Sequence, residues 1–273
     1  MAKKTTIDEP VSQQREYLRL LTGLVRGMQA DARKVLVPQV GAIKREREAE
    51  LRGDGWIEDL AYLIAELEVM ADGRMESVFD RLPTMFTATS KFNDRQFRLV
   101  VKGGTGLDLP ATTGASGLPA IQRALGIDVY RAEPYLEPLR NAWVSRNIDL
   151  IKTLPAKLHP ELTGIIDRGV ANGLSVKQMQ DQLIDRYGVT ESRAKLIAQD
   201  QILKANSELT RHRMESVGVD EYIWRTMNDS RVRPEHTERE GERFKWSDPP
   251  DGGHPGMAVR CRCRAEAIWP DDE

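Results

Sequence analysis

The sequence predicts a mainly α protein, with helical N-terminal and middle regions followed by a small α+β C-terminal unit of short strands. Three observations predict it. Apolar residues recur at steps of three and four through the first hundred positions and again beyond Pro134. That period lines one face of a helix. A stretch rich in Gly, Pro and Thr, Lys102–Pro119 (KGGTGLDLPATTGASGLP), interrupts the pattern. The last fifty residues switch to short β-branched and aromatic runs between Pro/Gly loops, which is strand punctuation. The predicted organisation is a helical N-terminal region, 1–101, a linker or arm, 102–119, and a domain, 120–273, whose strand unit occupies 219–269.

Each element has its own signal. Tyr17, Leu21, Leu24, Met28, Ala32 and Val35 form one stripe, which Pro38 should end or kink. Gly23 and Gly27 inside it each cost roughly 1 kcal/mol relative to Ala. The mixed-sign run Lys44–Arg52 suits a solvated helix face or a loop. A second stripe follows at Ile57, Leu60, Ile64, Leu67, Ala71, Met75, Val78 and Leu82, stopping at Pro83. The two stripes fit either a coiled-coil arm gripping a partner or two helices burying their apolar faces, and packing is the commoner use. Pro134 opens a helix through Leu136, Leu139, Trp143 and Ile148–Ile151, which Pro155 should close; Pro160 suits the first turn of the next. Ser175 with Gln178 is a capping-box pair. Gly188 should end that helix, and Thr190 should cap another running through Ala194, Ile197, Ala198, Ile202, Ala205 and Leu209 to Gly218. Its narrow stripe brings Asp200, Lys204 and Asn206 near the packed side, where they should pin neighbouring loops. The predicted strands are Glu221–Thr226, Phe244–Trp246 and Ala258–Ile268, the last carrying both cysteines.

Composition removes several function classes. The chain of 273 residues carries 40 Lys+Arg against 42 Asp+Glu, a net charge of −2. A protein devoted to coating nucleic acid shows a strong basic excess instead. Its 40% hydrophobic content is too high for disorder throughout. No run approaches the roughly 18 apolar residues of a membrane-spanning helix, and MAKKTTIDEPVSQQ lacks the apolar core of a secretory signal. GxSxG, HExxH, phosphate-loop and dinucleotide fingerprints are absent.

The two cysteines, Cys261 and Cys263, rule out a disulfide framework. With His236 and His254 they make a ligand set of the kind that holds a structural zinc. On a straight strand the two Cβ atoms would sit roughly 7 Å apart, so a shared metal requires a bulge or inclined rotamers. The alternative is that the thiols are small strand residues and the imidazoles polar loop residues. Asp229, Arg231, Arg233 and His236 (DSRVRPEH) fit a phosphate-handling or hydrolytic site, but better an ion-paired loop, because no second acid–base pair accompanies them. Arg260, Arg262 and Arg264 alternate along the last predicted strand and could meet DNA phosphates from one face. Alternatively they pair with the seven acids between Asp229 and Asp251.

The ordered set SRAKLIAQDQILKANSELTRHR (Ser192–Arg213), VDEYIWRTMNDSRVRPEH (Val219–His236), GERFKW (Gly241–Trp246), PPDGGHPG (Pro249–Gly256) and CRC (Cys261–Cys263) resembles the tailed-phage minor head proteins, the head morphogenesis family typified by protein F of phage Mu. It covers about a quarter of the chain, with a less specific lead-in from about Leu118. MAVR (Met257–Arg260), between the histidine and CRC, departs from the family pattern. The resemblance implies a non-enzymatic virion head component, assembled in the bacterial host cytoplasm. It would act beside the portal in head assembly, DNA packaging or ejection, with portal and major capsid proteins as partners and DNA as a weak contact. Arg193, Asp200, Asn206, Trp224, Asp229, Arg231 and Arg233 are then structural motif positions. The rival from another class is a zinc-dependent nuclease or other hydrolase.

Overall fold

The computed structural model describes residues 4–49, 55–109 and 133–269. Its elements, in order, are helix α1 (Val11–Val35), a 3-10 turn (Val37–Gln39), α2 (Val40–Glu48), α3 (Gly55–Phe79), α4 (Leu82–Thr105), α5 (Leu136–Ala171), α6 (Val176–Glu215), β1 (Glu221–Arg225), the short α7 (Pro234–Glu238), β2 (Arg243–Lys245) and β3 (Arg264–Ala267). The protein is mainly α with a small antiparallel sheet near its C-terminal end. Its described residues fall into two compact units. One draws on Met1–Arg15, Pro83–Trp143 and Gln199–Glu273, the other on Glu16–Leu82 and Val144–Ala198. No described helix is long and apolar enough to cross a membrane.

The second unit is a helical assembly built on the predicted stripes. Tyr17, Leu21, Leu24, Met28 and Ala32 of α1 are buried, as are Leu60, Leu67, Ala71, Met75 and Val78 of α3. Burying such side chains stabilises by about 1.5–3 kcal/mol each. Ile57 is an exception to the second stripe, 48% exposed; it sits in the first turn of α3. Polar pins join the helices. Tyr17 donates to Asn147 on α5, and Arg74 on α3 grips Asp31 on α1 with two nitrogens. Gly27 makes room for that guanidinium, since a Cβ there would lie 2.6 Å from Arg74. Pro38 ends α1 in a 3-10 turn, after which α2 resumes. His159 is buried beside Glu68, and burial lowers its pKa.

Four predicted helix boundaries, at Pro155, Pro160, Gly188 and Thr190, are overridden by packing. Neither Pro155 nor Pro160 breaks α5, a 36-residue helix. An interior proline costs about 3 kcal/mol, but Ile151, Leu154, Leu158, Leu162 and Ile166 are all fully or nearly fully buried along the same helix. Gly188 and Thr190 lie inside α6, which runs 40 residues, because Tyr187, Thr190 and Ala194 around them are buried. The capping box at its start forms as expected: Gln178 N–H donates to Ser175 Oγ at 3.2 Å, and Ser175 N–H donates to Gln178 Oε1 at 2.9 Å. Of the expected linker, Lys102–Thr105 completes α4. Gly103 and Gly104 permit this: a Cβ on Gly104 would lie 1.9 Å from the Trp269 indole, and one on Gly103 2.6 Å from the Lys4 carbonyl. Residues 110–119, and the start of the following predicted domain to 132, lie outside the described residues.

The first unit places the sheet against α4 and the end of α6. Its strand order is β2-β1-β3, antiparallel throughout. The inward residues of β1, Tyr222 and Trp224, join Phe97, Val100, Val101, Met214, Trp246, Trp269 and both cysteines in one apolar cluster. The third strand is shorter than expected. The predicted run Ala258–Ile268 is strand only over Arg264–Ala267. Arg260 adopts a positive φ of 56°, and Cys261 N–H closes a turn onto the Ala258 carbonyl at 2.9 Å. Both cysteines therefore precede the strand instead of lying in it.

Candidate metal centre and the adjoining cleft

The turn at Arg260 resolves the spacing problem that a straight strand would pose. Cys261 and Cys263 emerge from a bent segment, and each sulfur lies 3.5 Å from Nδ1 of His236. His236 is carried by α7, a single turn started by Pro234 at its first position. The three ligand atoms all lie within 4.8 Å of one another, and all three residues are buried. The cysteines are free thiols.

This donor set fits a zinc ion. With Zn–S of about 2.3 Å and Zn–N of about 2.0–2.1 Å, tetrahedral geometry sets the sulfur–nitrogen separation at about 3.6 Å. The observed 3.5 Å matches it for both sulfurs. The surroundings suit thiolate sulfur as well. Gly256 N–H donates to Cys261 Sγ at 3.4 Å. Gly256 has φ 88°, and a Cβ there would meet Ser207 at 2.9 Å, so only glycine brings that N–H into place without strain. The buried Trp224 indole N–H acts on Cys263 and favours its thiolate. The thiols titrate as a pair. The hydrogen bond from Cys263, then Gly256, hold Cys261 down to about 6 against burial. Cys263 is pushed up by the same hydrogen bond and by burial, with the Trp224 indole opposing. Of the two thiols, Cys261 is thus the one that gives up its proton more readily.

Of the four predicted ligands, His254 does not join the group. Its Nδ1 lies 3.1 Å from the Tyr222 hydroxyl, and its ring packs against Trp246 and Tyr222, centroids 5.0 and 5.7 Å away. Burial, then Arg211, lower its pKa to about 4. It is an aromatic-box histidine held neutral, and three protein donors remain. MAVR is the segment that bends to bring the cysteines to His236.

The other predicted residues have definite places. Trp224 stacks edge-on to His236 at 5.2 Å, with the Arg239 guanidinium over its ring. Asp229 pairs with Arg262 through both oxygens at 2.7 Å and with Arg231 at 3.1 Å. Arg262, then the Arg231 contacts, lower its pKa to about 2. Arg233 donates to the Val259 carbonyl at 2.8 Å. DSRVRPEH is thus an ion-paired loop. Asp200 accepts the Arg260 backbone N–H at 3.1 Å and pairs with Lys204 at 2.7 Å. Asn206 donates to the Asp8 carbonyl and accepts from Asn93. Arg193 donates to Thr153. The three alternating arginines do not share a face: Arg264 pairs with Asp8 at 2.8 Å, while Arg260 and Arg262 line a cleft of about 1010 Å³. His236, Cys261 and Cys263 also line that cleft, together with Arg15, Arg231 and Arg233. Sequence reasoning missed Arg15, which sits on α1 far from the other arginines in the chain.

Residues 161–266 match the family described as Phage Mu protein F like protein. The resemblance seen in the motifs therefore holds over the segment running from within α5 to β3. An uncharacterized protein of Haemophilus influenzae (strain ATCC 51907 / DSM 11121 / KW20 / Rd) is 35% identical over 147 residues, 52% of this chain. The chain spans about a third, 33%, of that relative's length. No solved structure matches.

Proposed function

We propose that this chain is a minor head protein of a tailed bacteriophage, acting beside the portal in head assembly, DNA packaging or ejection. The carrying observation is the match to the Mu protein F-like family over residues 161–266, the segment that builds α6, the sheet and the His/Cys/Cys group. In this reading the protein is a non-enzymatic virion component, assembled in the host cytoplasm, with portal and major capsid proteins as partners. Its sheet unit is stapled by a structural zinc on His236, Cys261 and Cys263. Three short strands bury little, and small units commonly recruit a metal for that reason. Mass spectrometry of particles and assembly intermediates, with cross-linking to the portal, tests the proposal. Absence of the chain from both refutes it.

One observation favours a second reading. Three protein donors at the edge of an open cleft leave a coordination position for water, the arrangement of a catalytic zinc. Glu9 is the carboxylate among the described residues lining that cleft. A zinc-dependent hydrolase would cleave DNA when zinc-loaded and lose that activity in Glu9→Gln. A zinc-loaded chain inert on DNA and on phosphodiester model substrates removes this reading.

A further inference from the structure

We propose that the arginine cleft is a binding surface for the phosphodiester backbone of double-stranded DNA, with Arg15 and Arg260 as its principal contacts. The cleft gathers Arg15, Arg231, Arg233, Arg260 and Arg262 around about 1010 Å³, with Glu9 as the opposing carboxylate in its lining. The whole chain is slightly acidic, at −2, so the concentration of guanidinium groups is local. Their engagement differs. Arg262 is tied to Asp229, and Arg233 to the Val259 carbonyl. Arg231 shares Asp229 with Arg262 and is 73% exposed. No hydrogen bond or ion pair from described residues engages the side chains of Arg15 or Arg260, and both are exposed. Planar guanidinium forks match phosphate oxygens in pairs.

Arg260 carries the strongest argument. Its φ of 56° is a conformation that glycine adopts freely and other residues at a cost of roughly 1–2 kcal/mol. Asp200 holds that conformation through the backbone N–H, so the backbone needs nothing from the side chain. An arginine where glycine fits better, exposed in a cleft and without a side-chain partner among the described residues, is placed for a ligand. The ligand is a phosphate backbone and not a base, because no Phe, Tyr or Trp among the described residues lines the cleft. Single-strand grooves stack bases on such rings. The proposal replaces the strand-face triad of Arg260, Arg262 and Arg264, since Arg264 is taken by Asp8. It deepens the head-protein reading, but its test uses the purified chain, so failure here leaves particle incorporation standing.

The experiment is fluorescence anisotropy of the full chain with a random-sequence duplex of about 30 base pairs, titrated across NaCl concentrations. Each neutralised phosphate contributes about −0.9 to the log–log salt slope, so Arg15, Arg231 and Arg260 together give about −2.7. Arg15→Glu and Arg260→Glu should each weaken binding by about tenfold and flatten the slope by about one. Arg260→Gly keeps the turn and should fold at least as well as wild type while losing its share of affinity. Arg168→Glu, on an exposed site of the other unit, should change nothing. Salt-independent or absent binding by the wild type overturns the proposal. So does wild-type affinity in both Arg15→Glu and Arg260→Gly. Tighter binding of polyglutamate than of DNA overturns it in favour of an acidic protein partner.

Discussion

Replacing Asp200 with Asn tests how the cysteine-bearing loop is held. The Asp200 side chain is 9% exposed and lies 2.7 Å from the Lys204 ammonium. It accepts the Arg260 N–H at 3.1 Å and a third hydrogen bond from Gln201 at 3.1 Å. A hydrogen bond to a charged group contributes about 1.5–3 kcal/mol. Asn keeps one acceptor oxygen but turns an amide donor toward Lys204, which is left without its counter-charge. The left-handed turn at Arg260 is then held by an uncharged acceptor in place of a carboxylate, while retaining its strain of roughly 1–2 kcal/mol. Together these give a loss of about 3 kcal/mol, or roughly 6–12 °C in Tm for a protein of this size. The assay is thermal and urea unfolding of Asp200→Asn, Arg260→Gly and the double variant. Arg260→Gly alone should be neutral or stabilise by up to about 1 kcal/mol, and it should recover about that much when combined with Asp200→Asn. Two results would refute the reasoning: Asp200→Asn within about 0.5 kcal/mol of wild type, or Arg260→Gly as damaging as the Asp200 change.

Four further outcomes are expected. Chain purified with zinc should carry about one ion, lost in Cys261→Ser, Cys263→Ser and His236→Gln and kept in His254→Gln, as read by atomic emission; metal loss in His254→Gln equal to that in His236→Gln would restore the four-ligand set. A chelator should lower the Tm of wild type but not of the Cys263→Ser variant. Stability should fall as pH drops from about 6.5 to about 4, because His254 has a folded pKa of about 4, below its unfolded value, and the unfolded chain binds the extra proton across that window; His254→Gln should flatten this segment of the pH–Tm curve. Gly188→Ala should stabilise by about 1 kcal/mol, because the position is helical, has ordinary φ and offers open space to a Cβ; destabilisation would mean that the helix ends there, as its sequence suggests.

The helices of the second unit are legible because burial writes a period into a sequence, and Tyr17 to Ala32 keep it without interruption. Their ends are less legible. Pro155 and Gly188 are local stop signals of about one to three kcal/mol in scale, and the packing that outweighs them involves residues tens of positions away. The same distance hides Arg15. The cysteines and His236 are legible as a ligand set from residue type, but their convergence depends on one dihedral angle. Arg260 at φ 56° carries no sequence flag, since left-handed residues are usually Gly or Asn. Hence residue pattern alone extends the strand too far, and it groups His254, two residues from Gly256, with His236 and the cysteines, which converge without it.

The polar residues of the α6 motif make sense as a set only when their partners are known. Asp200 holds the Arg260 turn, Ser207 donates to the Pro255 carbonyl at 2.5 Å, and Asn206 ties the N-terminal segment at Asp8 and α4 at Asn93. Arg213, 1% exposed, closes the series with hydrogen bonds to Ser90, Asn93 and both oxygens of Glu133. A nearly regular spacing along one helix thus fixes separate loops, each with a buried group that would be costly to leave unpaired. Two of those pins act near Cys261: Asp200 holds the adjacent Arg260, and Ser207 holds Pro255, next to the Gly256 that donates to the thiol. The long helix therefore positions the thiols, and the thiols with His236 close the sheet. Losing a pin should impair metal retention even with all three ligands present. That order of dependence gives each polar residue of the motif a structural task.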